Sequence, residues 1–426
     1  MYVRRNYSTS FYGKRRRTSR PALIMLLLLV IGGVVGYTFA QFDTLQAEAL
    51  KAVGMAGEPT PYPGQYATWA AEKFAKGDLQ GARNDYANAV RLQPNNIDYL
   101  YEYGRVLIEL GLTGEASQIA DQAMEANSFD VRGYALKSLA IMWSDPDQAV
   151  QYAKQGTAID ANFAPLYAAL AVAYNNLQFY DLAMDNGRRA IELAPDDALG
   201  YTSYAWPLIY RGQSQLAIRY LETAVALAPQ LTNNYFQLAF EYKSRAKQPL
   251  KALGVYEALL ARELSAEDRA KANLRMCETL ASGELDPTGQ GTADFGIAEP
   301  YCQEAINVKP DYGPAYKELG RMRYVRRNYE GSIEAFDTCV ALGATNIECW
   351  YLRGIAYYFL GNCNMAWQVL NEANVIASQQ SVDQYVFEQI DTGLYNVRQK
   401  CPDYRNVAEP TLIPPTPIPP TPIGGL

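Results

Sequence analysis

Cysteine is the side chain here best suited to covalent chemistry, and the sequence has six: Cys277, Cys302, Cys339, Cys349, Cys363 and Cys401. An even number in an exported chain points to disulfides, though composition alone leaves the pairing open. Six buried free thiols are the competing reading. Zinc fits poorly, because there is no Cys-x-x-Cys pair and no histidine to complete a ligand set. The lack of histidine also removes Ser-His-Asp and Cys-His nucleophile systems and the usual neutral-pH general base. The many carboxylates fall in no catalytic motif and read as solvated helix faces. No glycine loop built to cradle phosphate occurs. Asp286, Gly289, Gly291 and Asp294 offer oxygen ligands in loop 283–296, but without EF-hand spacing; an insertion loop is the better reading. The residues therefore point to binding rather than catalysis, and no enzyme activity, metal or cofactor is expected.

The elements that must position these residues come from a repeat. A unit of about 34 residues recurs from roughly 63 to 378. Units 164–197 and 198–231 align Tyr167 with Tyr201, Ala171 with Ala205, Ala183 with Ala217, Ala190 with Ala224 and Pro195 with Pro229. In the second of these, Tyr201, Tyr204, Ala205 and Leu208 make one helical stripe. Arg211-Gly212-Gln213 turns the chain, and Leu216, Ala217, Tyr220, Leu221 and Ala224 make a second stripe. Pro229 ends it, since proline has no amide hydrogen to donate and its ring clashes with the preceding turn. Small residues such as Gly104, Ala205, Gly320 and Gly354 recur where two helix axes must approach.

This pattern resembles the tetratricopeptide repeat family, with its aromatic and Leu-Gly in the first helix, then Ala, an aromatic, Ala and a closing Pro. The match is good at 63–96, 97–130, 164–197, 198–231, 313–346 and 347–380, and looser at 131–163, 232–265 and 266–312. The resemblance implies an all-α fold: a right-handed α-solenoid of about nine helix-turn-helix units over 63–400. Residues 381–400 would form its capping helix. Alternating helices then put the cysteines in neighbouring pairs: 277–302, 339–349 and 363–401. The family has no shared chemistry; its members mostly bind and scaffold.

The N-terminus suggests a membrane. Residues 1–20 carry seven basic side chains (Arg4, Arg5, Lys14, Arg15, Arg16, Arg17, Arg20) and no acid, and residues 21–42 carry no charge. As a helix this uncharged segment would span ~33 Å, enough for a bilayer core. The basic flank should stay cytoplasmic, placing the repeats outside. The expected organisation is a cytoplasmic segment at 1–20, a signal anchor at 21–42, a stalk at 43–62, the solenoid at 63–400 and a proline-rich tail at 401–426. A secretory signal peptide cut after Ala40 is the alternative. Without the seven N-terminal cations, 31 basic residues face 45 acidic ones, a net charge of −14 over 21–426. That balance argues against nucleic acid as a partner of the repeats.

A protein or peptide ligand is then the expected partner. In the family the concave groove is lined by first-helix residues. The corresponding slots here hold Tyr101 and Arg105, Met142 and Trp143, Trp206 and Tyr210, and Phe236, Phe240 and Lys243. Farther on they hold Lys317, Arg321 and Tyr324, then Tyr351 and Tyr358. Aromatics with scattered cations suit a binding groove. With 33 tyrosines in the chain, some of these rings can equally serve packing between repeats. The Lys/Asn/Arg clamp some members use for chaperone tails is absent, since Ala67, Ala71 and Ala168 occupy such slots. The reading is a membrane-anchored, extracytoplasmic binding scaffold. A self-associating envelope component is the first alternative, and an accessory subunit of an envelope enzyme the second.

Overall fold

The computed structural model describes residues 61–282, 295–343, 346–380 and 382–405. The chain divides into units 1–62 and 63–426. The expected anchor, its basic flank, most of the stalk, the insertion loop and nearly all of the proline-rich tail lie outside the described residues. Among the described residues no helix is long and apolar enough to cross a membrane.

The second unit is built from antiparallel helix pairs. They are α1 (Pro63–Lys76) with α2 (Leu79–Leu92), α3 (Ile97–Glu109) with α4 (Thr113–Ala126), and α5 (Val131–Ile141) with α6 (Pro146–Ile159). Next come α7 (Ala164–Asn176) with α8 (Tyr180–Leu193), α9 (Ala198–Tyr210) with α10 (Ser214–Leu227), and α11 (Thr232–Phe240) with α12 (Pro249–Leu260). The last pairs are α13 (Ala266–Leu280) with α14 (Phe295–Val308), α15 (Gly313–Val325) with α16 (Tyr329–Ala341), and α17 (Glu348–Phe359) with α18 (Cys363–Gln380). A single helix, α19 (Gln384–Lys400), follows as the cap. This is the nine-unit solenoid with a capping helix that the repeat implied, within the described residues.

Local chemistry sets the boundaries. Asn96, Asp130, Asp197 and Ser265 cap the first helices α3, α5, α9 and α13, each side-chain oxygen accepting from an amide in the first turn of the helix. In seven of the pairs the turn holds one residue in the left-handed region. Glycine supplies it at Gly77, Gly111, Gly212 and Gly361. In three pairs the slot is taken by Gln178, Lys247 and Arg327, at φ 64°, 54° and 62°, a conformation costly for a side-chain-bearing residue.

Packing repeats with the units. Gly320 lies against the Phe336 ring, so close that a Cβ there would meet ring atoms at 2.6 Å; Gly354 meets Leu370 the same way. The core is a series of clusters running from α1–α4 to the cap, as expected when each pair buries its apolar face on its neighbours. α11 departs from the pattern. It is short and runs into a π-helical turn, Glu241–Arg245, before Pro249 opens α12. This is one of the looser units in the sequence.

The cysteines pair as the alternation of helices implies. Cys277 on α13 bonds Cys302 on α14, Cys339 near the end of α16 bonds Cys349 at the start of α17, and Cys363 at the start of α18 bonds Cys401 just after the cap. Their Cα separations are 5.4, 6.3 and 6.1 Å, within the range a disulfide spans.

Candidate binding groove and its inner cavity

The first helices line the inner face of this unit. Phe74 of α1, Tyr101, Arg105 and Glu109 of α3, Leu139 of α5, Pro165 of α7, Thr202 of α9 and Asn234 of α11 all border one cavity. They meet because the solenoid curves tightly. The Asn233 side-chain amide donates to the Glu109 carbonyl at 3.1 Å, across 124 residues of chain. Beside it, Gly77 faces the Gln230 carbonyl, which a Cβ at Gly77 would approach to 3.3 Å.

The cavity has a volume of about 320 Å³. The Arg105 guanidinium is held 5.9 Å from the ring centres of both Phe74 and Tyr101 and pairs with Glu102 at 3.2 Å. Burial alone would lower its pKa, but the nearby charges of Glu102, Asp197 and Glu109 more than offset this and the net shift is upward. Burial pushes the Tyr101 hydroxyl up to about 12, so it stays neutral. Burial also pushes the Glu109 carboxyl up to about 7; Arg105 pulls it back and Asp197 adds to the rise. Asp196 and Asp197, at the N-terminus of α9, complete the acidic side.

A second set of side chains forms an aromatic run along the ends of α5, α9 and α11. Trp143 and Trp206 meet edge to face at 4.9 Å, although they belong to pairs that are not neighbours in sequence. Tyr210 stacks on Tyr180 at 6.1 Å. Trp143, Tyr210 and Phe240 remain 47%, 54% and 54% exposed. Trp206 is only partly open and packs on two core clusters, so it joins the groove to the core.

The other expected groove residues divide differently. Phe236 is partly buried beside Tyr256 and carries the Lys271 ammonium 4.2 Å from its ring centre. Met142 is buried at the cavity wall, and Lys243 is part-buried in the π turn. Lys317 and Arg321 clasp the buried Glu318, each at 2.8 Å, and Lys317 reaches Glu348 of α17 at 3.6 Å. Burial would raise the Glu318 pKa, but Arg321 and Lys317 outweigh it and hold the carboxyl below its usual value. Lys317 thus ties α15 to α17 of the next repeat, while Arg321 pairs within its own helix. Tyr324 packs with Tyr329 and Phe359. Tyr351 departs from the expectation of a groove residue. It is 6% exposed in the C-terminal core cluster that α19 helps build, because the cap covers the inner face of the last pair. Tyr358 is partly covered too, with the Lys400 ammonium at the end of the cap 4.7 Å from its ring.

Glu109, Asp196, Asp197 and Asn234 are not among the candidates that the sequence offers. The three carboxylates read there only among the many solvated acids of the helix faces. Glu109 lies one turn from Arg105 on α3, whereas only the curvature brings Asp196, Asp197 and Asn234 to the same cavity.

The fold and inner face define a helical-repeat solenoid with a concave first-helix surface. A family model described as tetratricopeptide repeat matches residues 73–140, from the end of α1 to α5. That stretch of the chain is similar to tetratricopeptide repeats. Over 144 residues it is 24% identical to a Haemophilus influenzae protein described as a lipoprotein NlpI homolog, a match covering 34% of this chain and 40% of that one. The chain thus spans two fifths of the length of that relative. Among solved structures it is similar to the Cut9–Hcn1 hetero-tetramer of the APC/C, at 14% identity, covering 74% of this chain and 59% of that chain with a TM-score of 0.48. It is also similar to a thermophilic TPR protein of Thermus thermophilus, at 19% identity, covering 42% and 99% with a TM-score of 0.37.

Proposed function

We propose that this chain is a membrane-anchored scaffold that holds a protein or peptide segment against the inner face of its repeats. The observation that carries this reading is the aromatic run from Trp143 to Phe240, with rings about half exposed beside a rigid helical wall. Large rings give contact area at low entropic cost, and they dominate the energetics of protein interfaces. The uncharged segment 21–42 behind seven cations supports anchoring, with the repeats outside the cytoplasm. Three disulfides suit an oxidising compartment, and the stretch similar to a lipoprotein homolog is in keeping with an envelope location.

Phe240 gives the cleaner test, because Trp206 also supports the core. In Phe240→Ala the fold should keep its stability to within ~0.5 kcal/mol, as for an exposed site. Affinity for a partner crosslinked in intact membranes should fall by ~2 kcal/mol, as at a central interface aromatic. Binding measured with the purified partner checks this; unchanged affinity would remove the aromatic run from the interface.

A further inference from the structure

We propose that the inner cavity receives the basic side chain, lysine or arginine, of a peptide lying along the first-helix face. This rests on the reading of that face as a peptide-binding surface and names what the surface selects.

The charge balance is the first argument. Glu109, Asp196 and Asp197 border the cavity, and Arg105, which also borders it, is already paired with Glu102 at 3.2 Å. The wall thus has an excess of carboxylate facing a space of about 320 Å³, at the small end for ligand pockets and suited to one long side chain. Phe74 and Tyr101 give that side chain an apolar flank.

Asn234 is the second, independent argument. Its side chain borders the same cavity, is 7% exposed, and its Nδ2 has no hydrogen-bond partner in the protein. A buried amide donor left unpaired is costly, and buried polar groups normally find a partner. The peptide carbonyl next to an inserted basic residue supplies the acceptor. One ligand chemistry, a cation on an amide backbone, thus answers both the acidic wall and the orphan donor.

The Glu109 carboxyl gives the binding a pH signature. Burial and Asp197 raise its pKa to about 7, against the opposing pull of Arg105. An incoming cation favours the ionised form, so binding releases a proton below pH 7 and tightens as pH rises. Arg105 stays charged and Tyr101 neutral through this range.

The test pans a displayed library of random decapeptides against the full chain in detergent micelles. Enriched peptides should carry lysine or arginine at a fixed place. A selected peptide should bind about ten-fold tighter at pH 8 than at pH 6. Glu109→Gln should abolish that pH dependence. Asp197→Asn, which keeps the helix cap, should weaken binding about ten-fold. Replacing the peptide's basic residue with citrulline or norleucine should weaken wild-type binding similarly, and lose little further in Asp197→Asn. Binders without a basic residue, or basic binders indifferent to both variants and to pH, would overturn the cavity proposal and leave the groove reading standing. A library that yields no binders would overturn both.

Discussion

Phe336→Ala should cost about 3–5 kcal/mol of stability, the range for truncating a fully buried aromatic. Phe336 is completely buried, fills the hollow above Gly320, and sits in one cluster with the Cys339–Cys349 bridge. Its removal leaves a cavity that α15, α16 and α17 meet around, and the backbone there is tied by that bridge and by the Lys317–Glu348 pair between α15 and α17. Collapse into the hollow is therefore restricted. Because neighbouring repeats are coupled mainly to each other, the loss should appear first as early unfolding of the C-terminal pairs. Denaturant titration followed by far-UV circular dichroism checks the magnitude. A loss below ~1 kcal/mol would show that these helices are not packed as described.

Replacing both Cys363 and Cys401 by serine should cost a further substantial share of stability at the same end. The bridge joins residues 38 apart, the longest span of the three, and chain entropy assigns such a closure about 3–4 kcal/mol. It fastens the cap to α18 at the solenoid end, where among the described helices α19 packs on α17 and α18 of the last pair. Hydrogen exchange should show α19 losing protection while α1–α10 keep theirs. Equal protection of α19 with and without the bridge would contradict this, as would peptide maps of exported protein showing two free thiols.

These features are legible in the sequence to different depths. The helix pairs, the cap and all three cysteine pairings follow from a 34-residue period that recurs in phase, since small residues, aromatics and prolines mark the same positions in six of the nine units. What the period cannot carry is curvature. The contact of Asn233 with Glu109 spans 124 residues, so no local pattern announces the cavity or the roles of Asp196, Asp197 and Asn234. The π turn at 241–245 falls where the repeat itself loosens. Slot counting places Tyr351 on the groove, but the cap's cover over the last pair puts it in the core. Trp206 sits in a groove slot by the same counting, yet its indole packs on two core clusters as well. The pairing of Lys317 and Arg321 is foreshadowed by the intervening Glu318, since a carboxylate within reach of both cations pairs with them.

The claim at the centre of this account is that the first-helix face, and not the outer second-helix face, takes the partner. Site-specific photocrosslinking tests it directly. A benzophenone amino acid is placed in turn at Phe240, on the inner face, and at Leu182, similarly open near the start of second helix α8. Irradiation of intact membranes should give a discrete crosslinked partner from position 240 and none from position 182. Crosslinking from 182 with none from 240 would contradict the claim.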